Sequence, residues 1–326
     1  MAEINLEKID GSNILITGAT GLIGSCIVDE LMENAGCHVY AAGRNLERAK
    51  TKFGTYFQSK RFHFLQYDVE KPLDGNVTFD YIIHAASNAS PNFFALNPVG
   101  VIMSNIMGTK NLLDYGRTHG MKRFLYVSSG EVYGNGDVEE WKEDDSGYVD
   151  CMTMRSCYPT SKRAAETLCV AYMHQHNVDV VVARPCHTYG PGFTESDTRA
   201  FAQFVRNARK HENIILKSKG EQYRSWLYVK DCVSAILTIL LNGQNGEAYN
   251  VADKKSCITI RELAETIADI GGAKVVFDVP SDIEKQGFSV IRKAVFDTSK
   301  LEALGWEPHY LLQDALMETI KGSSKN

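Results

Sequence analysis

A glycine-rich turn near the amino terminus limits the possible folds of this chain more than any other segment. The apolar, β-branched run Ile14–Ile16 leads into Thr17–Gly24 (TGATGLIG), after which the apolar spacing becomes helical. This order predicts a strand, a tight turn at Gly18 and the start of a helix, with Gly21 open to a ligand and Gly24 packed on the strand. Because N–H groups at a helix start face anions, the segment favours a dinucleotide pyrophosphate site over an ordinary strand-to-helix turn.

Composition excludes several classes of protein. The 326 residues, 44% of them hydrophobic, can form one large domain or two unequal ones. A net charge of −5 argues against nucleic acid or an anionic membrane as a partner, and the chain has no apolar run of membrane-spanning length. The eight cysteines lack CxxC or metal-ligand spacing. With an amino terminus that lacks a signal-peptide core, they predict reduced thiols, no metal site and a cytoplasmic location.

Strand-like and helix-like segments alternate along the first two thirds of the chain. Such alternation predicts an α/β fold with a doubly wound parallel sheet of the Rossmann type. The predicted strands are Asn13–Thr17, Cys37–Ala42, Phe62–Gln66, Tyr81–His84, Arg123–Val127 and Val178–Ala183. The long helices predicted between them are Leu22–Asn34, Pro98–His119 and Tyr158–His176.

After Pro185 the pattern becomes less regular and predicts a smaller, mixed α/β carboxyl-terminal lobe for the substrate. The expected elements are helices at 199–211, 260–270 and 311–320 and a strand at 214–217. A helix at 230–241 and a strand at 247–251 are expected to return to the main sheet. We therefore expect a dinucleotide-binding domain of residues 1–184 plus 226–252 and a second lobe of residues 185–225 plus 253–326.

The pair Tyr158 and Lys162, in the sequence YPTSK, lies at the start of a predicted long helix. A spacing of four places both side chains on one helical face. A nearby ammonium stabilises a phenolate, so we expect the pKa of Tyr158 to be lowered and the phenol to exchange a proton with a substrate hydroxyl. A surface tyrosine over a lysine stem is the alternative for an isolated pair.

Ser129 and Glu131 follow the predicted strand 123–127, at the sheet edge where open α/β sheets bind ligands. In an extended chain the two side chains would point to the same side, with the hydroxyl beside Tyr158 and the carboxylate near a neighbouring carbon. A strand cap and a solvated loop charge are the corresponding structural interpretations.

Taken together, these segments resemble the extended short-chain dehydrogenase/reductase family, which contains NAD-dependent nucleotide-sugar epimerases, dehydratases and decarboxylases. The loop 86–92 followed by Asn97-Pro98 is most similar to that of UDP-glucuronate decarboxylases, and Arg163 fits that group. The resemblance covers nearly the whole length and is carried by Thr17–Gly24, His84–Ser87, Asn105–Thr109, Ser129, Tyr158–Lys162, Arg184-Pro185, Tyr189–Pro191, Arg224–Asp231 and Leu304–Pro308.

The resemblance implies a role for each matching residue. Tyr158 would take the proton of the sugar 4-hydroxyl while Lys162 holds the cofactor ribose, Ser129 shares the proton network, and Glu131 serves the step after oxidation. The expected cofactor residues are Gly18, Thr20, Gly21, Leu22, Ile23, Gly24, Arg44, Asp68, Val69, Ala85, Ala86, Ser87, Asn105, Val127, Tyr158, Lys162 and Pro185. The expected substrate residues are Ser90, Pro91, Ser129, Glu131, Arg163, His187, Arg224 and Arg292.

Several positions depart from the pattern of the family. Gly130 lacks the acid of dehydratases and the serine of decarboxylases, and His187 replaces the usual asparagine. The second strand ends at Arg44 without an acid for the ribose 2′-hydroxyl, so NADP is possible. The sequence Asp68-Val69 still favours NAD.

The sequence favours a nucleotide-sugar enzyme that works through a 4-keto intermediate with recycled NAD, most similar to a UDP-glucuronate decarboxylase. A 4-epimerase and a 4,6-dehydratase remain alternatives, as do a carbonyl reductase that consumes NADPH and a non-catalytic NAD(P)-binding sensor. A homodimer through the helices that contain Gly108 and Lys162 is also expected.

Overall fold

The computed structural model describes residues 4–194, 197–278 and 292–322. Within these ranges, seven parallel strands form a central sheet in the spatial order β3-β2-β1-β4-β5-β6-β10. The order reverses between β1 and β4, and such a reversal opens a ligand crevice at the carboxyl ends of the strands. The strands are β1 (Asn13–Thr17), β2 (His38–Gly43), β3 (Phe62–Gln66), β4 (Tyr81–His84), β5 (Arg123–Val127), β6 (Val180–Pro185) and β10 (Ala248–Val251).

Both faces of the central sheet are covered by helices, as the apolar sequences of its strands require. Along β1, Ile14 and Ile16 belong to one buried cluster and Leu15 to another. Ile27 of the first helix packs in the first cluster, and Leu112 packs in the second. The helices of this half are α1 (Leu22–Asn34), α2 (Leu46–Phe53), α3 (Pro91–Leu96), α4 (Pro98–Thr118), α5 (Cys157–His176) and α7 (Val229–Asn242).

The carboxyl-terminal lobe has its own small sheets and its own apolar cluster. Its strands are β7 (His187–Tyr189), β8 (Ile214–Leu216), β9 (Tyr223–Tyr228), β11 (Cys257–Thr259), β12 (Val275–Phe277) and β13 (Lys293–Ala294), with helices α6 (Ala200–Arg209), α8 (Ile260–Gly271), α9 (Ser299–Glu302) and α10 (Leu312–Lys321). Strand β9 pairs with β7, β11 and β13, and β8 pairs with β12. Among the described residues, no helix is long and apolar enough to cross a membrane.

Asp231 fastens the last part of the chain to the rest of the molecule. Its buried carboxylate accepts hydrogen bonds from the backbone N–H groups of His309 and Tyr310 at 3.0 and 3.1 Å. Ser234, on the same helix α7, accepts a bond from the indole N–H of Trp306 at 2.9 Å. The segment 306–310, which begins inside the sequence LGWEP, is therefore bonded to the first turn and a half of α7. These bonds join two segments that are distant along the chain.

The predicted α/β fold with a doubly wound sheet and a smaller lobe is confirmed. Predicted segments that belong to the central sheet agree with the observed ones to within about two residues, and β10 does return to that sheet beside β6. Helices α2 and α3, and strands β7 and β9, were not predicted. They are short, and their apolar residues are too few to establish a period of 2.0 or 3.6 residues.

Candidate active site

A cleft of about 380 Å³ opens at the carboxyl ends of β1 and β4, where the strand order reverses. The glycine turn after β1 forms one wall, and Ala85–Ser87 after β4 lies directly against it. A Cβ atom on Gly18 would lie 2.7 Å from the carbonyl oxygen of Ala85, and one on Gly24 would lie 2.3 Å from that of Gly18. Gly18 also has a φ of +66°. These two glycines are therefore required by close backbone packing and, at Gly18, by conformation.

Most of the predicted cofactor residues line this cleft. Asn105 and Pro185 do not line it. The Asn105 side chain is buried and donates to the hydroxyl of Ser161 at 2.9 Å, so its observed role is to join α4 to α5. The residues that do line the cleft are Gly18, Thr20, Gly21, Leu22, Ile23, Gly24, Arg44, Asp68, Val69, Ala85, Ala86, Ser87, Val127, Tyr158 and Lys162.

The cleft fits a nicotinamide dinucleotide in shape and in its polar groups. The hydroxyl oxygens of Ser87 and Ser128 line it and are buried, yet neither has a hydrogen-bond partner among the residues that the structure describes. Buried hydroxyls are nearly always bonded, so these two are suited to receive polar atoms of a ligand. The glycine turn, with little side-chain bulk at Gly21, leaves room for a pyrophosphate at the start of α1.

Tyr158 lies at the inner end of the cleft and is only 6% exposed. Its phenol lies near the hydroxyl of Ser129. The rings of Phe94 and Tyr158 stack with their centroids 4.9 Å apart, and the guanidinium of Arg155 lies over the Phe94 ring at 4.7 Å. Ring stacking therefore holds Tyr158, with the Ser129 hydroxyl close to its oxygen.

Lys162, one turn further along α5, is also buried. Its ammonium donates to the carbonyl oxygen of Val127 at 2.7 Å and lies 4.6 Å above the ring of Tyr126. It lies 5.9 Å from the centroid of the Tyr158 ring. Burial lowers the pKa of Lys162 to about 7.

The expectation of a lowered pKa for Tyr158 is wrong for this structure. Burial and, to a smaller extent, the charge of Glu131 raise the pKa of Tyr158 to about 12, although the Ser129 hydroxyl and the charges of Arg199 and Arg155 act in the opposite direction. Burial outweighs the attraction of the nearby Lys162 ammonium, because removal from water disfavours the charged form of each group.

The extended chain expected from Ser129 to Glu131 is also wrong. Gly130–Tyr133 forms a 3₁₀ helix, and the Ser129 hydroxyl caps it by accepting from the N–H of Glu131 at 3.2 Å. The turn places the Glu131 carboxylate against Arg155, where both of its oxygens accept from Nη2 at 2.6 Å. Glu131 is thus near Tyr158 but in an ion pair.

Gly130 is explained by Phe296, a buried residue that follows β13. A Cβ atom on Gly130 would lie 2.4 Å from Cζ and 2.7 Å from Cε1 of that ring. A serine or an acid at position 130 therefore requires the phenylalanine ring to move. Gly130 and Phe296 therefore fit each other, because the phenylalanine ring occupies the space that a side chain at position 130 would need.

The predicted substrate residues fall into several places. Ser90 lines the cleft and its hydroxyl is bonded to that of Thr198 at 2.9 Å, whereas Pro91 is exposed at the start of α3. Arg224 is buried on β9, and Arg292 is exposed beside it, with its carbonyl oxygen accepting from the N–H of Tyr223. Of these four residues, Ser90 lines the cleft, whereas Pro91, Arg224 and Arg292 do not.

Arg163 has a structural role instead of the predicted contact with substrate. Its guanidinium donates to the carbonyl oxygens of Val132, Tyr133 and Gly147 at 2.6, 3.2 and 2.8 Å. These bonds hold the long loop after β5 onto α5. All three acceptors belong to the protein backbone, and Arg163 does not line the cleft.

His187 cannot act as a charge switch near neutral pH. Burial, together with the nearby charges of Arg224, Arg199 and Arg155, lowers its pKa to about 3. Its ring lies 5.3 Å from that of Trp226, and its Nδ1 atom is buried without a hydrogen-bond partner in the described part of the chain. A neutral imidazole in this place can still give or accept one hydrogen bond.

Comparison with known proteins assigns the chain to a family. Residues 14–252 match the model of the NAD dependent epimerase/dehydratase family. The chain belongs to this family. UDP-glucuronic acid decarboxylase 6 from Arabidopsis thaliana is 35% identical over 307 residues, which are 93% of this chain and 86% of the relative. UDP-glucuronic acid decarboxylase 1 from Xenopus tropicalis is 33% identical over 317 residues, 97% of this chain and 73% of that protein.

A solved structure of another family protein has the same fold. The dTDP-glucose 4,6-dehydratase DesIV from Streptomyces venezuelae, solved with NAD, superposes with a TM-score of 0.83, 24% identity and coverage of 95% of this chain and 96% of its own. The resemblance predicted from the sequence motifs is therefore confirmed for the family and for the fold.

The sequence reasoning missed two arginine side chains whose charges act on Tyr158. Arg155 lies three residues before Tyr158 in the 3₁₀ helix Met154–Ser156, and Arg199 lies at the cleft in an ion pair with Asp197 at 2.6 Å. The spacing of Arg155 from Tyr158 was the available signal. Its partner Glu131 is 24 residues away along the chain, and no local pattern indicates that pairing.

The buried ammonium of Lys162 makes stability depend on pH. Its pKa is about 7 in the folded chain and 10.5 as the ordinary value, so between these values the unfolded chain binds more protons. Stability should therefore rise with pH in this window, by up to about 1.4 kcal/mol per pH unit. Urea unfolding at pH 7.5 and 9.5 measures it, and Lys162→Met should remove the increase that exposed Lys60→Met keeps. Equal pH dependence in all three proteins would contradict the assignment.

Proposed function

We propose that this protein removes the carboxylate of a UDP-uronic acid through a 4-keto intermediate. The observation that carries the proposal is the Glu131 carboxylate close to both Tyr158 and Ser129. A plain 4-epimerase has no need of a carboxylate there. The names of the curated relatives support the same reaction.

The first chemical step needs a base at the sugar 4-hydroxyl. When bound, the nicotinamide supplies a reversible hydride acceptor for carbon 4. Tyr158 accepts the hydroxyl proton, for which its phenol must ionise, and the nearby Ser129 hydroxyl favours the ionised form. Lys162 offers a cation within the same buried space, where charges interact more strongly than in water.

The second step breaks the bond between carbons 5 and 6. A ketone at carbon 4 makes the uronic carboxylate a β-keto acid, so carbon dioxide leaves and the electron pair is held as an enolate. A proton from water then adds to carbon 5 and converts the enolate back to the ketone. Glu131, which Arg155 holds through both carboxylate oxygens, is the nearby side chain that can position this water. Tyr158 then gives its proton back to the oxygen at carbon 4, for which the bound nicotinamide would supply the hydride.

A 4-epimerase is the second candidate function. Both oxygens of Glu131 are taken up by Arg155, and a carboxylate in such a pair is less available as a base. Dehydration has less support, because Gly130 has no acid to protonate a leaving hydroxyl and Phe296 fills the adjacent space. A sensor protein would need neither the buried phenol of Tyr158 nor the hydroxyl of Ser129 beside it.

Product mass decides between these reactions. The purified protein, supplemented with NAD or NADP, is incubated separately with UDP-glucuronate, UDP-glucose and dTDP-glucose, and products are measured by mass spectrometry. Loss of carbon dioxide from UDP-glucuronate supports the proposal. A product of unchanged mass but altered chromatographic retention indicates epimerisation, and loss of water indicates dehydration. Stoichiometric consumption of NADPH indicates a reductase, and no product from any of them contradicts the proposal.

We also propose a homodimer that works in the cytoplasm. Val99 and Met103 of α4 and Val170 of α5 are apolar and exposed by 68%, 40% and 36%, which is consistent with a shared helical interface. The free state of all eight cysteines is consistent with a reducing compartment. Sedimentation velocity of the wild type and of a Val99→Glu/Met103→Glu variant tests the homodimer, which the double substitution should dissociate.

A further inference from the structure

The ribose end of the cleft differs from that of an NAD-selective site. In doubly wound folds, an acid at the end of the second strand binds the ribose 2′-hydroxyl of NAD, and an arginine there accommodates the 2′-phosphate of NADP. Here β2 ends at Gly43, and Gly43, Arg44 and Arg48 all line the cleft. The chain therefore presents two guanidinium groups where an acid would select against a phosphate.

Packing does not force a glycine at position 43. A Cβ atom built there would lie 3.8 Å from the nearest atoms of Phe64 and Thr20, which is ordinary van der Waals contact. Gly43 is also outside the left-handed region that favours glycine. A side chain with a carboxylate could thus be accommodated at position 43, so packing does not account for the lack of an acid there.

Arg48 is fixed over the phosphate turn. It lies in the first turn of α2, and its Nη2 atom donates to the carbonyl oxygen of Thr20 at 3.0 Å. Arg44 comes directly after β2, at the start of the loop into the same helix. Neither guanidinium forms a salt bridge with a carboxylate of the described residues. Their remaining N–H donors are available to a ligand that enters the cleft.

The charged side chains at this end of the cleft are of both signs. Asp68 and Glu70, which follow β3, line the cleft together with Arg44 and Arg48. Burial lowers the pKa of Lys52 and the charge of Arg48 lowers it as well, whereas Asp29 raises it, so Arg48 and Lys52 lie close enough to repel. Glu47, on the same helix, is engaged by Lys50 at 2.8 Å, and neither residue lines the cleft. An anion bound by Arg48 would offset this repulsion.

We infer that Arg44 and Arg48 form a site for the ribose 2′-phosphate, so that this chain binds NADP more tightly than NAD. The inference rests on the proposed function only in taking the cleft as a dinucleotide site, and it does not depend on which sugar is converted. A dianionic phosphate receives charge-assisted hydrogen bonds from both guanidinium groups, and the 2′-hydroxyl of NAD has no acid to bind at Gly43.

Binding constants test the inference without any substrate. Titration calorimetry on the purified protein measures NADP, NAD, and the fragments 2′,5′-ADP and 5′-ADP. We expect NADP to bind at least about tenfold more tightly than NAD, and 2′,5′-ADP more tightly than 5′-ADP. Arg44→Ala and Arg48→Ala should each weaken NADP by about tenfold with less than about a twofold effect on NAD. Gly43→Asp should reverse the preference.

A matched control separates this effect from the general charge of the helix. Lys50→Ala removes a cation from α2 outside the cleft and should leave both constants unchanged. Equal binding of NAD and NADP by the wild type, or an unchanged ratio in both arginine variants, overturns the 2′-phosphate site while leaving the proposed reaction intact. Failure of both dinucleotides to bind the wild type overturns the inference and the proposed function together.

Discussion

Replacing Tyr158 by phenylalanine is expected to lower turnover by about 10²–10⁴-fold while leaving the fold and the binding of nucleotide sugar nearly unchanged. The substitution removes the oxygen that lies near Ser129 and keeps the ring that stacks on Phe94. Only the proton transfer at the sugar 4-hydroxyl is lost. Steady-state kinetics should therefore show the loss in kcat rather than in KM.

The matched control is Tyr148→Phe, because Tyr148 is 68% exposed and lies outside the cleft. This variant should keep the wild-type rate. Near-normal turnover in Tyr158→Phe would leave the YPTSK segment with a purely structural role in α5. The high pKa of Tyr158 adds a further expectation: the wild-type rate should increase with pH until the phenol ionises, because the phenolate is the active base.

Replacing Glu131 by glutamine is expected to separate oxidation from the step that follows it. Glutamine keeps the size of the side chain but removes the charge that Arg155 binds through two oxygens. In a decarboxylase, oxidation at carbon 4 then proceeds and the next step slows by about 10²–10⁴-fold. Absorbance of the reduced nicotinamide should rise in a single turnover and persist, and carbon dioxide release should fall.

Glu139→Gln is the control for this substitution, since the Glu139 side chain is 96% exposed and pairs with Lys293 away from the cleft. It should behave as the wild type. Arg155→Met gives an independent measurement, because it leaves Glu131 in place without its partner and should reproduce part of the defect. An unimpaired Glu131→Gln enzyme would make epimerisation the better assignment.

Local sequence was sufficient for the elements of the central sheet. Segments such as Asn13–Thr17 and Leu22–Asn34 carry long apolar runs with a clear period, and their predicted bounds equal the observed ones. Gly130–Tyr133 gave no such signal. Its 3₁₀ helix depends on the cap from Ser129 and on the ring of Phe296, which is 166 residues further along the chain.

The chemistry of the site was less predictable than its location. The motif Tyr158–Lys162 predicted that both side chains lie on one helical face, but sequence spacing contains no information on burial, and burial is the largest cause of both pKa shifts. The acceptors of Arg163 and the partner of Glu131 also come from segments brought together only by the tertiary fold. The sequence pattern therefore located the cleft. Contacts between segments that are distant along the chain determine which charged side chains there already have partners.

The return of β10 to the central sheet has a consequence for synthesis on the ribosome. Strand β10 pairs with β6, but residues 186–247, which include β7 to β9, α6 and α7, lie between them in the chain. The edge of β6 must remain open until that whole stretch has emerged, and pairings between distant segments form slowly. During this interval an exposed strand edge can recruit a foreign strand. We expect a nascent chain that ends before residue 248 to be the form most dependent on chaperones.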